Sequence, residues 1–158
     1  MDTLYLVIPC YNEEEVLPET SKQLLAKMQS LMAAEKVSEK SRIVFVNDGS
    51  KDRTWEIIQA LHQENPIYQG VCLSRNRGHQ NALLGGLMTV KNHCDMAISL
   101  DADLQDDIDA IDEMVDKYYA GCDIVYGVRS SRKKDTFFKR FTAESFYKLL
   151  NAMGAEVV

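Results

Sequence analysis

Residues 42–63 read RIVFVNDGSKDRTWEIIQALHQ. The first part, RIVFVND, is a short run of β-branched and aromatic residues, the composition of a strand. Its apolar stretch lacks polar alternation, which suits a strand covered by helices on both faces. GSKDRT is turn chemistry, and WEIIQALHQ is an amphipathic stretch of helical character. Strand, polar turn and helix together form the repeating half of a parallel α/β sheet.

The same rhythm continues in both directions. LYLVIPC (4–10) reads as an earlier strand, and a helix runs from Glu13–Glu15 towards Glu35, since acidic residues favour a first turn. SEKS (38–41) is the connection back to the sheet. Downstream, YQGVCLS (68–74) is a third strand, RGHQNALLGGLMTV (77–90) a helix, and DMAISL (95–100) a fourth strand. IDAIDEMVDKYYAG (108–121) is a helix ending at Gly121, CDIVYGV (122–128) a fifth strand, and FFKRFTAESFYKLLNAM (137–153) a last helix. Strands alternating with helices of this length predict a Rossmann-like, mostly parallel sheet with right-handed crossovers and helices on both faces.

In such sheets ligands bind beyond the carboxyl ends of the strands. The polar clusters fall at those ends: PCYNEE, NDGSKD, SRNRG, DADLQ and GVRSSR. Within SLDADLQDD (99–107), Asp101, Asp103 and Gln105 stand at i, i+2 and i+4. In extended backbone these three point the same way, and their oxygens suit a hard divalent cation. The plain alternative is a pair of loop acids near a helix start, where the helix dipole favours them.

A chain of 158 residues with 46% hydrophobic and 27% charged residues fits one soluble domain with its own core. A net charge of −6 does not favour binding to nucleic acid. The cysteines (Cys10, Cys72, Cys94, Cys122) form no C-x-x-C pair and no zinc spacing, which fits reduced structural thiols in a cytoplasmic setting. MDTLYLVIPCYNEEE lacks the basic start of a signal peptide, and no apolar run approaches the ~20 residues that span a bilayer. The ending NAMGAEVV reads as the start of a strand, so a C-terminally truncated chain is expected.

VIPCYNEEE, VNDGSKDRT, LSRNRGHQNAL, DADLQDD and YGVRSSR, in this order and spacing, resemble the family 2 inverting glycosyltransferases of GT-A nucleotide-sugar fold. The branch most similar transfers sugars to a polyprenyl (dolichyl or undecaprenyl) phosphate. The resemblance covers essentially the whole chain and makes residues 1–158 a catalytic domain, with the acceptor segment and any membrane anchor outside it. It implies that Pro9, Tyr11 and Glu13 border the nucleotide base and ribose and that Asp48 hydrogen-bonds the base. Asn47 departs from the Asp-Asp pair often found there. By the same resemblance, Asp101 and Asp103, with Gln105, hold Mg²⁺ or Mn²⁺ on the diphosphate, Arg129 reaches the phosphates, and Arg140 lies near the donor or lipid phosphate. Asp101, Asp103 and Arg129 are then the catalytic group. A dehydrogenase fits less well, because its G-x-G-x-x-G is replaced by PCYNEE after the first strand.

Plainer roles stand beside these. Asp52 reads as a helix cap, Tyr11 has packing as its alternative, and His79 reads first as a hydrogen-bonding surface histidine. The basic cluster Arg132, Lys133, Lys134, Lys139 and Arg140 is either a solvated face or a phosphate or membrane-surface site.

The implied enzyme is a metal-dependent, inverting hexosyltransferase of cell-envelope glycan synthesis at the cytoplasmic membrane face. Its donor is a uridine-diphosphate sugar, with a guanosine-diphosphate sugar as the alternative, and its acceptor is polyprenyl phosphate. Transfer to a sugar hydroxyl of a polysaccharide or glycolipid is a second reading, and a non-catalytic nucleotide-sugar-binding module a third. The fragment itself is expected to be soluble, and the apolar edge near Val157 to invite homo-oligomer formation.

Overall fold

Every residue of Leu4–Cys10 is buried, which a strand achieves at the centre of a sheet covered on both faces. The computed structural model describes residues 1–104 and 108–127. In it Leu4–Cys10 is β1, followed by α1 (Leu17–Ala33), β2 (Arg42–Asn47), α2 (Thr54–Glu64), β3 (Tyr68–Cys72), α3 (His79–Val90), β4 (Met96–Ser99) and α4 (Ala110–Tyr119). The strands form one parallel sheet in the order β3-β2-β1-β4. The order therefore turns back between β1 and β4, the switch point at which α/β sheets open a crevice.

Register fixes which side chains share a face. Leu6 pairs with Ile43 and Ile98, and Val7 with Val44. Tyr5, Val7, Val44 and Val46 form a core cluster with Ala82 and Val90 of α3. On the other face, Phe45 stacks with Tyr68 at 6.2 Å between ring centroids. The Tyr68 hydroxyl donates to Ser21 O of α1 at 2.8 Å, and the hydrogen side of Gly70 lies against Ile58 and Trp55 of α2. Helices cover both faces, as the uninterrupted apolar strands require.

α3 approaches the sheet closely because of one small residue. A Cβ on Gly86 would stand 2.6 Å from Val46 Cγ2 and 2.8 Å from Val7 Cγ1, whereas one on neighbouring Gly85 would meet only Leu73 Cδ2 at 3.9 Å. Gly86→Ala is therefore expected to lose about 1–3 kcal/mol to overpacking, offset in part by the helix propensity of alanine. Gly85→Ala gains up to about 1 kcal/mol from that propensity alone. Urea denaturation of the two variants checks this; equal stabilities would show that α3 does not need the close approach.

The chain divides into two compact units, Met1–Ile111 and Asp112–Val158. The sheet and α1–α3 belong to the first. In the second, the helix closes with hydrogen bonds from Gly121 N to Tyr118 O and from Cys122 N to Lys117 O, both 3.0 Å. Residues 122–127 then carry no strand, a correction to the expected fifth strand. A β-rich run becomes a strand only when a neighbour completes its ladder. Here Cys122 N–H is already committed to the helix end, and none of residues 121–127 is fully buried. Val128 and the expected last helix (137–153) lie outside the described residues.

Candidate active site

The loops after β1 and β2 are stitched together by their own polar atoms. Asp48 N donates to Cys10 O at 2.8 Å. Asn12 N donates to Ser50 Oγ at 3.0 Å, and Lys51 N returns a bond to Asn12 Oδ1 at 2.8 Å. Glu13 N donates to Thr54 Oγ1 at 2.9 Å and Glu14 N to Asp52 Oδ2 at 3.3 Å. Asp52 also accepts from Thr54 N at 2.9 Å and from the Thr54 hydroxyl. Burial raises the pKa of its carboxyl, but these hydrogen bonds outweigh that and hold it below the ordinary carboxylate range. Asp52 thus serves the start of α2 and also ties down the first loop.

A third loop is anchored onto these two. Asp48, 2% exposed, accepts Arg77 N at 2.7 Å through Oδ1, and Leu73 N donates to Asn47 O at 3.0 Å. Asn47 itself accepts Ser50 N at 3.2 Å and donates through Nδ2 to Cys72 Sγ at 3.4 Å. An aspartate could make the first contact but not donate in the second, which gives the departure from the family's Asp-Asp pair a local reason.

The fourth strand end differs from the extended ladder expected of DADLQ. Leu104 N donates to Asp101 O at 3.1 Å and Leu104 has φ +50°, so the backbone turns immediately after β4. The turn is held from α1, where Thr20 Oγ1 donates to Ala102 O at 2.6 Å. Asp101 and Asp103 reach one cavity because of this turn, not through strand alternation. Gln105, the third expected ligand, lies outside the described residues, as do Arg129 and Arg140.

A cavity of about 280 Å³ lies at the carboxyl ends of β1 and β4 and is lined by Pro9, Tyr11, Glu13, Asp48, Asp101 and Asp103. The structure thus brings together every candidate site residue that it describes. Cys10, Asn76, Gly78, His79 and Ala102 also line it. The sequence placed SRNRG at a strand end but gave its Asn76 and Gly78 no role, and it read His79 first as a surface residue. In the fold His79 Nε2 stands 3.5 Å from Asp101 Oδ1. Tyr11, 41% exposed, offers its ring at the rim instead of packing inside.

Electrostatically the cavity is acidic. Burial raises the pKa of Glu13, and the charges of Asp103, Asp52 and Asp101 raise it further. Burial likewise pushes the Cys10 thiol up, with Glu13 adding to it, so Cys10 is an inert wall residue. Among the described residues no group of three or more His, Cys, Asp and Glu side chains is placed to hold a metal by itself. A magnesium-type site does not need one: such an ion takes one or two carboxylates and completes its shell with waters and substrate phosphates. Hard oxygen donors gathered at one cavity, as on Asp101 and Asp103, fit such a cation. No helix among the described residues is long and apolar enough to cross a membrane.

A parallel sheet with an acidic crevice at its switch point defines a class of nucleotide-binding α/β proteins. The chain belongs to glycosyl transferase family 2, whose profile matches residues 5–156. It is 52% identical, over 98% of its length and 46% of the relative's, to the glycosyltransferase YkoT of Bacillus subtilis (strain 168). It is 42% identical, over 94% of its length and 46% of the relative's, to the bactoprenol glucosyl transferase of Shigella phage SfV. The chain thus spans about half the length of the curated relatives it matches. Among solved structures, S. aureus TarS in complex with UDP aligns with a TM-score of 0.54 at 16% identity, over 82% of this chain and 40% of that one. That likeness concerns the fold alone, and the GT-A architecture expected from the motifs is the one observed.

Proposed function

We propose that this chain is the donor-binding part of the catalytic domain of an inverting, metal-dependent hexosyltransferase. It would move a sugar from a nucleotide diphosphate sugar to a polyprenyl phosphate, at the cytoplasmic face of the membrane, in cell-envelope glycan synthesis. The observation that carries this reading is the acidic cavity at the switch point, where Asp48 lies towards the β2 side and Asp101 and Asp103 towards β4. Identity to a bactoprenol glucosyl transferase supports the acceptor class.

Each wall has a distinct task in this reading. Tyr11 gives the base a ring to lie against, and Asp48 offers it an acceptor oxygen. Asp101 and Asp103 would hold Mg²⁺ or Mn²⁺, which when bound neutralises charge on the diphosphate. Arg129 would add a forked, charge-assisted donor to the phosphates, and Arg140 would lie near the donor or lipid phosphate. In the transfer, an oxygen of the acceptor phosphate attacks C1 of the sugar from the side opposite the diphosphate. The bond from C1 to the diphosphate oxygen breaks, its electron pair leaves with the nucleoside diphosphate, and C1 is inverted. A phosphate monoester has its second pKa near ~6, so this acceptor needs little proton abstraction and no dedicated base.

Isothermal calorimetry with uridine and guanosine diphosphate, with Mn²⁺ and then with chelator, tests the donor assignment. Uridine diphosphate is expected to bind more tightly than guanosine diphosphate, and Mn²⁺ to tighten it. Equal affinity with metal and chelator would remove the metal from this account. Binding of guanosine diphosphate alone would reverse the choice of base.

A further inference from the structure

His79 opens α3 and has no task in the chemistry set out above. It lines the acidic cavity and also a smaller one of about 130 Å³ beside it, together with Pro9, Leu83, Ser99 and Asp101. Its Nε2 lies 3.5 Å from Asp101 Oδ1. Among the described residues it is the one side chain that pairs with that carboxylate.

Its place is set by backbone anchored to the site itself. Arg77 N donates to the buried Asp48 at 2.7 Å, Gly78 N to Asn76 Oδ1 at 3.0 Å, and Ala82 N to Gly78 O at 2.9 Å. The two side chains are 60% and 54% exposed, and a pair so open to water contributes little to folding. Its consequence is orientation. A carboxylate faced by a neighbour at one oxygen retains the other for a ligand, and metal-binding carboxylates are oriented by neighbours of this kind.

We propose that His79 is a positioning residue for Asp101. In this structure its Nε2 faces Oδ1 at 3.5 Å, an ion-pair contact and not a formed hydrogen bond; with a cation drawing on Oδ2 it closes to donate to Oδ1 and holds the carboxylate in that orientation. This rests on the metal reading given above.

The test is Mn²⁺ binding to the 158-residue chain, read from the paramagnetic resonance of the free ion, with and without uridine diphosphate. His79→Ala is expected to weaken Mn²⁺ about 10–100-fold with the melting temperature unchanged. His79→Gln, whose side-chain amide can still donate, is expected to recover most of the loss. Equal Mn²⁺ binding by the unmodified chain and His79→Ala would overturn this proposal alone. The same loss in His79→Gln as in His79→Ala would overturn the donor role. No Mn²⁺ binding by the unmodified chain would overturn the metal reading and this proposal with it.

Discussion

Asp103→Asn is expected to slow the proposed sugar transfer by about 100-fold or more while leaving the fold intact. The amide keeps the volume of the carboxylate and removes its charge. Asp103 is exposed in the cavity, so its replacement should change stability by no more than about 0.5 kcal/mol. Its charge is one of those that raise the pKa of Glu13. Removing it therefore lowers the repulsion on Glu13 and brings its pKa down towards the ordinary carboxylate range, with burial still holding it up. A folding defect is thus not the expected route to lost activity. The loss should lie in the rate, because a carboxylate that helps hold a cation on the leaving diphosphate acts most when charge builds there. Release of nucleoside diphosphate, measured with a short-chain polyprenyl phosphate across a range of Mn²⁺ concentrations, gives the readout. A rate within about threefold of the unmodified protein, a difference of under 1 kcal/mol in barrier, would remove Asp103 from the proposed metal-binding pair.

Much of this arrangement can be read before any coordinates, for reasons visible in particular residues. β1 and β2 stand out because a strand buried on both faces has no polar alternation, and LYLVI and RIVFV have none. The site residues stand out because a parallel sheet puts all its carboxyl ends on one rim, so PCYNEE and DADLQ must meet if the strands are assigned correctly. Two features are not legible in the same way. Alternating acids suggest extended geometry, yet the Leu104 N–H to Asp101 O bond shows a turn, and turn against extension there depends on Thr20 of α1 reaching Ala102. The entry of Asn76, Gly78 and His79 into the cavity depends on Asp48 accepting Arg77 N. That contact joins residues 29 apart in sequence, and local pattern does not record such a distance. CDIVYGV errs for the opposite reason: its propensity is local, but a ladder needs a partner strand.

Gly49→Ala is expected to destabilise the chain by about 3–5 kcal/mol and to abolish measurable nucleotide binding. Gly49 has φ +66°, where a Cβ costs roughly 1–2 kcal/mol from backbone sterics alone. Space is the larger obstacle. The added Cβ would lie 2.3 Å from Asn76 N and 2.6 Å from Arg75 C, backbone atoms that cannot rotate away as a side chain could. The loop after β3 would have to lift, adding about 1–3 kcal/mol of the kind seen for overpacking, and lifting it pulls Arg77 N away from buried Asp48. A buried carboxylate then loses a charge-assisted partner, which accounts for the upper end of the range. Because the same loop carries Asn76, Gly78 and His79, the cavity opens as the stability falls. Gly78→Ala separates the two causes: its φ is +89°, but nothing lies within 4 Å of the added Cβ, so it should show the backbone cost without the collision. Urea denaturation and uridine diphosphate titration of both variants decide the matter. Were Gly49→Ala to lose no more stability than Gly78→Ala and still bind nucleotide, the β3 loop would not be clamped onto Gly49, and the cavity would owe its shape to other contacts.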